Sequence, residues 1–104
     1  MSTTTGNTAV LTVVSADVPV ERADDVEPAF AQLLARGLPD GLLRTELLRG
    51  ASPRWQINSL WRDRAALDAM RAGSEPPAAP ELFRKLGAAP SLEVFEVAHA
   101  GTST

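Results

Sequence analysis

The chain has 104 residues, a net charge of −3, 44% hydrophobic residues and no cysteine. That length fits one small domain, and the hydrophobic share is too high for a disordered chain. The lack of cysteine excludes disulfides, thiolate metal sites and cysteine nucleophiles, and it suits a reducing compartment. Arginines and acids are interspersed, without the clustered basic face that phosphate backbones require, so no nucleic acid partner is expected. No apolar run approaches the ~20 residues of a membrane span, so no membrane partner is expected either. The start, "MSTTTGNT", lacks the basic and apolar regions of a signal peptide, and the expected location is cytoplasmic. Residues 1–7 and 101–104 read as flexible tails around a domain over 8–100.

"TAVLTVVSA" (Thr8 to Ala16) is rich in β-branched residues and predicts a first strand. Asp24 or Asp25 then offers a cap to a helix with Val26, Phe30, Leu33 and Leu34 on one face, stopped by Gly37. Pro28 is tolerable in its first turn, where a missing N–H has no partner to lose. "LLRTELLRG" (Leu42 to Gly50) predicts a second strand, and "GASP" a short hairpin into a third, Arg54 to Arg62. After Asp63 the apolar beat lengthens from two to three or four: Ala66, Leu67 and Met70 predict a second helix, capped by Asp63 and ending near Gly73. "SEPPAAP" cannot continue a regular helix; a short one follows through "ELFRKLG", and "SLEVFEVAH" (Ser91 to His99) predicts the last strand.

The order is β-α-β-β-α-β with an extra short helix, the ferredoxin-like α+β arrangement: an antiparallel sheet with helices on one face. The uncovered face of such a sheet should read polar. Here both parities are apolar: Leu11 and Val13 against Val10 and Val14, Leu43 and Leu47 against Leu42 and Leu48, Phe95 and Val97 against Leu92 and Val94. The second face needs a cover, most simply an identical chain, and a homodimer is expected.

His99 is the only histidine, which argues against a metal site and against a serine triad. There is no glycine-rich phosphate loop and no nucleophile elbow, so nucleotide, flavin and acyl-enzyme chemistry lack their usual signatures. What remains is an apolar shell with a few polar groups. Trp55, Ile57, Ser59 and Trp61 share a parity; Trp55 reads first as core, whereas Trp61 reads equally as core or as the border of a cleft between sheet and second helix. Asn58 has the opposite parity, so it is either satisfied within the sheet or dimer interface, or turned inward by a bulge. Arg71 and Arg84 are either solvated or reach over the cleft, where Asn and Arg can hold an oxyanion without a cofactor. "GSEPPAAP" reads as a stiff connector or as a lid closing on Met70 and Phe83.

The order of elements, the passage "INSLWRDRAALDAMR" and the closing "PSLEVFEVAH" resemble the antibiotic biosynthesis monooxygenase family, of the dimeric α+β barrel superfamily, over roughly Ala9 to Ala100. The resemblance implies a dimeric α+β barrel and a cofactor-independent monooxygenase. Such an enzyme oxidises an anthrone or dihydroquinone of polyketide type with O₂, using no metal, flavin or haem. In that chemistry the substrate loses a proton, passes an electron to O₂, and forms a peroxide that breaks down to a quinone. The resemblance matches Trp61 and Arg84 to residues of the family's site and implies catalytic roles for them; Asn58 is added as a catalytic candidate on its chemistry, and Trp55, Met70, Arg71 and Phe83 are expected against the substrate from their places around the cleft. Two departures stand out. The family's asparagine falls at Ile57, with Asn58 one residue off, and the chain has no tyrosine. Haem degraders of the superfamily use a histidine on the second helix, where this chain has none. The alternative function is a non-oxygenase: a small-molecule-binding or cyclase-like accessory protein of a biosynthetic pathway.

Overall fold

The computed structural model describes residues 8–101; the tail expected over 1–7 and, except for Gly101, the one expected over 101–104 lie outside the described residues. Among the described residues four strands and three α-helices follow in the order β1 (Val10–Asp17), α1 (Val26–Ala35), β2 (Leu42–Arg49), β3 (Arg54–Trp61), α2 (Arg64–Arg71), α3 (Ala78–Lys85) and β4 (Ser91–Glu96). All neighbouring strands are antiparallel, in the order β2-β3-β1-β4, so the ferredoxin-like α+β arrangement expected from the sequence is the fold.

Burial alternates along β1 and β3 as a half-covered sheet requires: Val10, Thr12, Val14 and Ala16 are buried, and opposite them lie Trp61, Ser59, Ile57 and Trp55. The helices cover this face with two separate apolar clusters. One joins Val14, Ile57 and Trp55 to Phe30 of α1 and to Leu82 and Phe83 of α3. The other joins Val10 and Trp61 to Ala66 and Leu67 of α2. The polar pair Thr12 and Ser59 lies between the clusters, and a cleft opens there.

Several local expectations change. Asp25 stands at the start of α1 but its side chain caps nothing. A 3₁₀ helix over Val20–Asp25 runs directly into α1, and the Asp25 carboxylate instead accepts from Arg22 Nε at 2.8 Å. Asp63 caps α2 as expected, accepting from the Ala66 N–H at 2.8 Å. The α3 helix begins earlier, at Ala78, because Pro80 sits in its first turn, where no intrahelical donor is missing.

The largest difference is in β2. Its register against β3 shifts between Leu42 and Arg44, a bulge that breaks strict alternation. Leu42 and Leu47 therefore share the helix-covered face, whereas Leu48 points away. Gly41, just before the bulge, has φ +82°, and a methyl group there would run into Ala66 of α2. Only glycine satisfies both conditions.

The uncovered face is half apolar rather than fully so. Phe95, Leu11 and Leu60 form one cross-strand row, with Val13 in the next row, while Leu48 stands apart, opposite Gln56. Phe95 and Leu48 are 48% and 40% exposed. The other half is polar: Ser15 Oγ donates to Gln56 Oε1 at 3.4 Å, and Gln56 Nε2 donates to Asn58 Oδ1 at 2.8 Å.

Candidate functional site

Between the two clusters lies a cleft of about 640 Å³, within the range of small-molecule sites. Its floor is the helix-covered face of the sheet. Its walls are the end of α1 with the following Gly37–Pro39 turn, the inner side of α2, and the segment from Gly73 to Pro80. The proline-rich stretch is thus a wall of the cleft, held in place at one end by α2 and at the other by α3.

The strand register arranges the floor in three cross-strand rows. Leu42, Trp61 and Val10 make one; Leu47, Ile57, Val14 and Leu92 make another. Between them run Thr45, Ser59, Thr12 and Val94, three adjacent hydroxyls on three strands. The β2 bulge puts Thr45 in this row; with unbroken alternation from Leu42 it would face the other side. A bulge does re-aim a side chain into the site, but it is Thr45 rather than Asn58.

The hydrogen bonds of this row leave something over. Trp61 Nε1–H donates to Thr12 Oγ1 at 3.2 Å, and Thr12 Oγ1–H donates to the Ser59 carbonyl at 3.4 Å. The one hydrogen of the Thr12 hydroxyl is thus spent, and Thr12 fixes the indole, only 4% exposed, as an edge of the cleft. Thr45 Oγ1 and Ser59 Oγ are 2.9 Å apart and share one hydrogen bond. Two hydroxyls carry two hydrogens and this bond uses one. The pair thus keeps one O–H free to donate to an oxygen entering the cleft.

Of the seven residues singled out from the sequence, the structure brings three to this cleft: Trp61, Met70 and Arg71. Trp55 and Phe83 belong to the larger apolar cluster, outside the cleft lining. The Arg49 guanidinium stacks on the Trp55 ring, 4.9 Å from its centre, and pairs with Glu27. Arg84 lies on the outer surface of α3, 3.6 Å from Glu81. Asn58 faces the opposite side of the sheet, its carbonyl oxygen bonded to Gln56. Thr12 and Thr45 carried no signal in the sequence, and Ser59 only the parity it shares with Trp61. Among the described residues no three His, Asp or Glu side chains gather to hold a metal ion. The cleft lining has one carboxylate, Glu75, and no histidine or lysine.

The chain matches no family model and no curated protein. Solved structures do match. SnoaB from Streptomyces nogalater, a cofactor-independent oxygenase, superposes with TM-score 0.71 at 23% identity, over 88% of this chain and 95% of that one. A candidate antibiotic biosynthesis monooxygenase from Deinococcus radiodurans gives TM-score 0.72 at 15% identity, over 91% and 98%. A haem-degrading protein from Mycobacterium tuberculosis gives 0.68 at 25% identity, over 94% and 100%. The fold of this chain is the fold of the antibiotic biosynthesis monooxygenases, as the sequence resemblance implied.

Proposed function

We propose that the chain is a cofactor-independent monooxygenase of the antibiotic biosynthesis monooxygenase family, oxidising an aromatic anthrone or dihydroquinone of polyketide type. The observation that carries this reading is the apolar cleft beside Trp61 with one uncommitted hydroxyl donor on its floor. In an anthrone the CH₂ group is acidified by the ring ketone. A donor at the ketone oxygen stabilises the enolate that forms on deprotonation. The Thr45–Ser59 pair supplies that donor, and Glu75 is the side chain of the lining able to take the proton. The carbanion gives an electron to O₂, the radicals combine to a peroxide at that carbon, and loss of water leaves the carbonyl. Overall, one CH₂ and one O₂ become one C=O and one H₂O, so no outside reductant is needed. Leu33, Leu67 and Met70 on the lining would place apolar surface rather than competing polar groups beside the ring.

The haem-cleaving reading is not favoured by the residues present. Helix α2 carries no histidine, and His99, beyond β4, is exposed and outside the cleft lining. A second reading, an aromatic-ligand-binding or cyclase-like accessory protein, is favoured by one observation: Asn58 faces away from the cleft.

The active unit is proposed to be a homodimer joined through the uncovered face. Its apolar row of Phe95, Leu11 and Leu60 lies where the helices of one chain give no cover.

Oxygen uptake by chelator-treated protein with anthrone and 1,8-dihydroxyanthrone tests the enzyme. The expected result is uptake above the spontaneous rate, with one O₂ consumed per quinone formed. Uptake at the spontaneous rate with both substrates overturns the oxygenase reading; saturable binding without uptake supports the second.

A further inference from the structure

The chain has nine arginines. Seven of them, Arg22, Arg44, Arg49, Arg54, Arg62, Arg64 and Arg84, lie at salt-bridge distance from a carboxylate. Among the described residues Arg36 and Arg71 have no such partner, and both line the cleft. They come from different elements: Arg36 caps the C-terminus of α1, and Arg71 is the last residue of α2. Each complements its helix dipole, which explains a cation at either position. It does not explain why the two unpaired arginines meet at one cavity, on a surface whose other arginines all find an acid. Glu75, the one carboxylate on the lining, is paired with neither.

We infer that this cleft selects aromatic ligands carrying a carboxylate, with Arg36 and Arg71 reading the charge. The ring body lies against Leu33, Leu67 and Met70, a ring oxygen meets the Thr45–Ser59 pair, and the carboxylate stays at the guanidinium side. Arginine suits this role, because its planar fork binds a carboxylate with two parallel hydrogen bonds. The inference rests on the reading of the cleft as the substrate site, but it concerns binding and not turnover.

Titration calorimetry with anthraquinone-2-carboxylate and its neutral carboxamide separates charge from shape. The carboxylate is expected to bind about tenfold more tightly, a difference of roughly 1.4 kcal/mol. In the doubly substituted R36Q/R71Q protein the two ligands bind alike, and in the wild type the preference narrows as salt is raised. Equal affinity in the wild type, a preference retained in the double variant, or no binding of the carboxylate each overturns the inference. Arg36 is exposed and Arg71 only half-buried, so circular dichroism should show an unaltered fold. Should the double variant not fold, R36Q and R71Q singly must each reduce the preference. A neutral ligand bound equally well, with anthrone still oxidised, defeats the charge inference alone. Selective binding with no oxygen uptake defeats the oxygenase reading alone.

Discussion

Replacing Thr12 with valine keeps the shape of the cleft floor and removes one acceptor. Trp61 Nε1–H donates to that hydroxyl at 3.2 Å, and both residues are nearly excluded from solvent, at 6% and 4% exposure. No water readily replaces the lost acceptor. An unpartnered buried donor costs about 1–3 kcal/mol. The 3.4 Å bond from Thr12 to the Ser59 carbonyl is long and adds little. For a domain of this size that loss lowers the melting temperature by roughly 5–20 °C. The assay is urea unfolding of T12V, W61F and the double variant at one fixed protein concentration, since the stability of the proposed dimer would depend on it. The double variant should be about 1 kcal/mol more stable than the sum of the single losses, because the second change removes a donor already without a partner. Losses that add to within about 0.3 kcal/mol would mean that the hydrogen bond does not hold the indole in place.

Four further outcomes follow from named contacts. T45V or S59A alone leaves one hydroxyl free to donate and should weaken binding of anthraquinone-2-carboxylate by less than about threefold; together they should cost about tenfold, read by calorimetry. G41A forces a side chain onto φ +82° and against Ala66, and should destabilise the chain by about 2–4 kcal/mol in urea unfolding. D63A removes the cap donated to by Ala66 N–H and should cost about 1 kcal/mol, with D63N recovering part of it. L11D places a charge in the apolar row with Phe95 and Leu60 and should convert the proposed dimer to monomer in dilute-solution sizing; a wild type already monomeric there contradicts the proposed dimer.

The sequence was most readable where one strong local signal decided the structure. The change of rhythm after Trp61, with Asp63 at the break, placed β3, the cap and α2 almost to the residue, because a side-chain cap and an apolar period agree there. The helix-covered parity of β1 and β3 was equally plain. What could not be read depends on pairing between distant strands. Thr12, Thr45 and Ser59 are unremarkable in their own segments and become one row only through the register. The β2 bulge reverses the alternation that assigned Leu42 and Leu47 to different faces, and no residue in "LLRTELLRG" announces it. Gly41 is its one trace in the sequence. Asn58 and Arg84 were drawn in by chemistry that suits an oxyanion, yet backbone geometry sends one to the far face and the other to the surface. Arg36 had no signal at all, since an unpaired arginine is recognised only once the other seven are seen paired.

Heteronuclear NMR of the two indole N–H groups tests the central claim most directly, because the second tryptophan is an internal control. On addition of anthraquinone-2-carboxylate the Trp61 resonance, assigned with W61F, should shift and saturate, while that of Trp55, packed beneath Arg49, stays in place. A Trp61 signal that never moves, or a shift confined to Trp55, would contradict the placement of the ligand site.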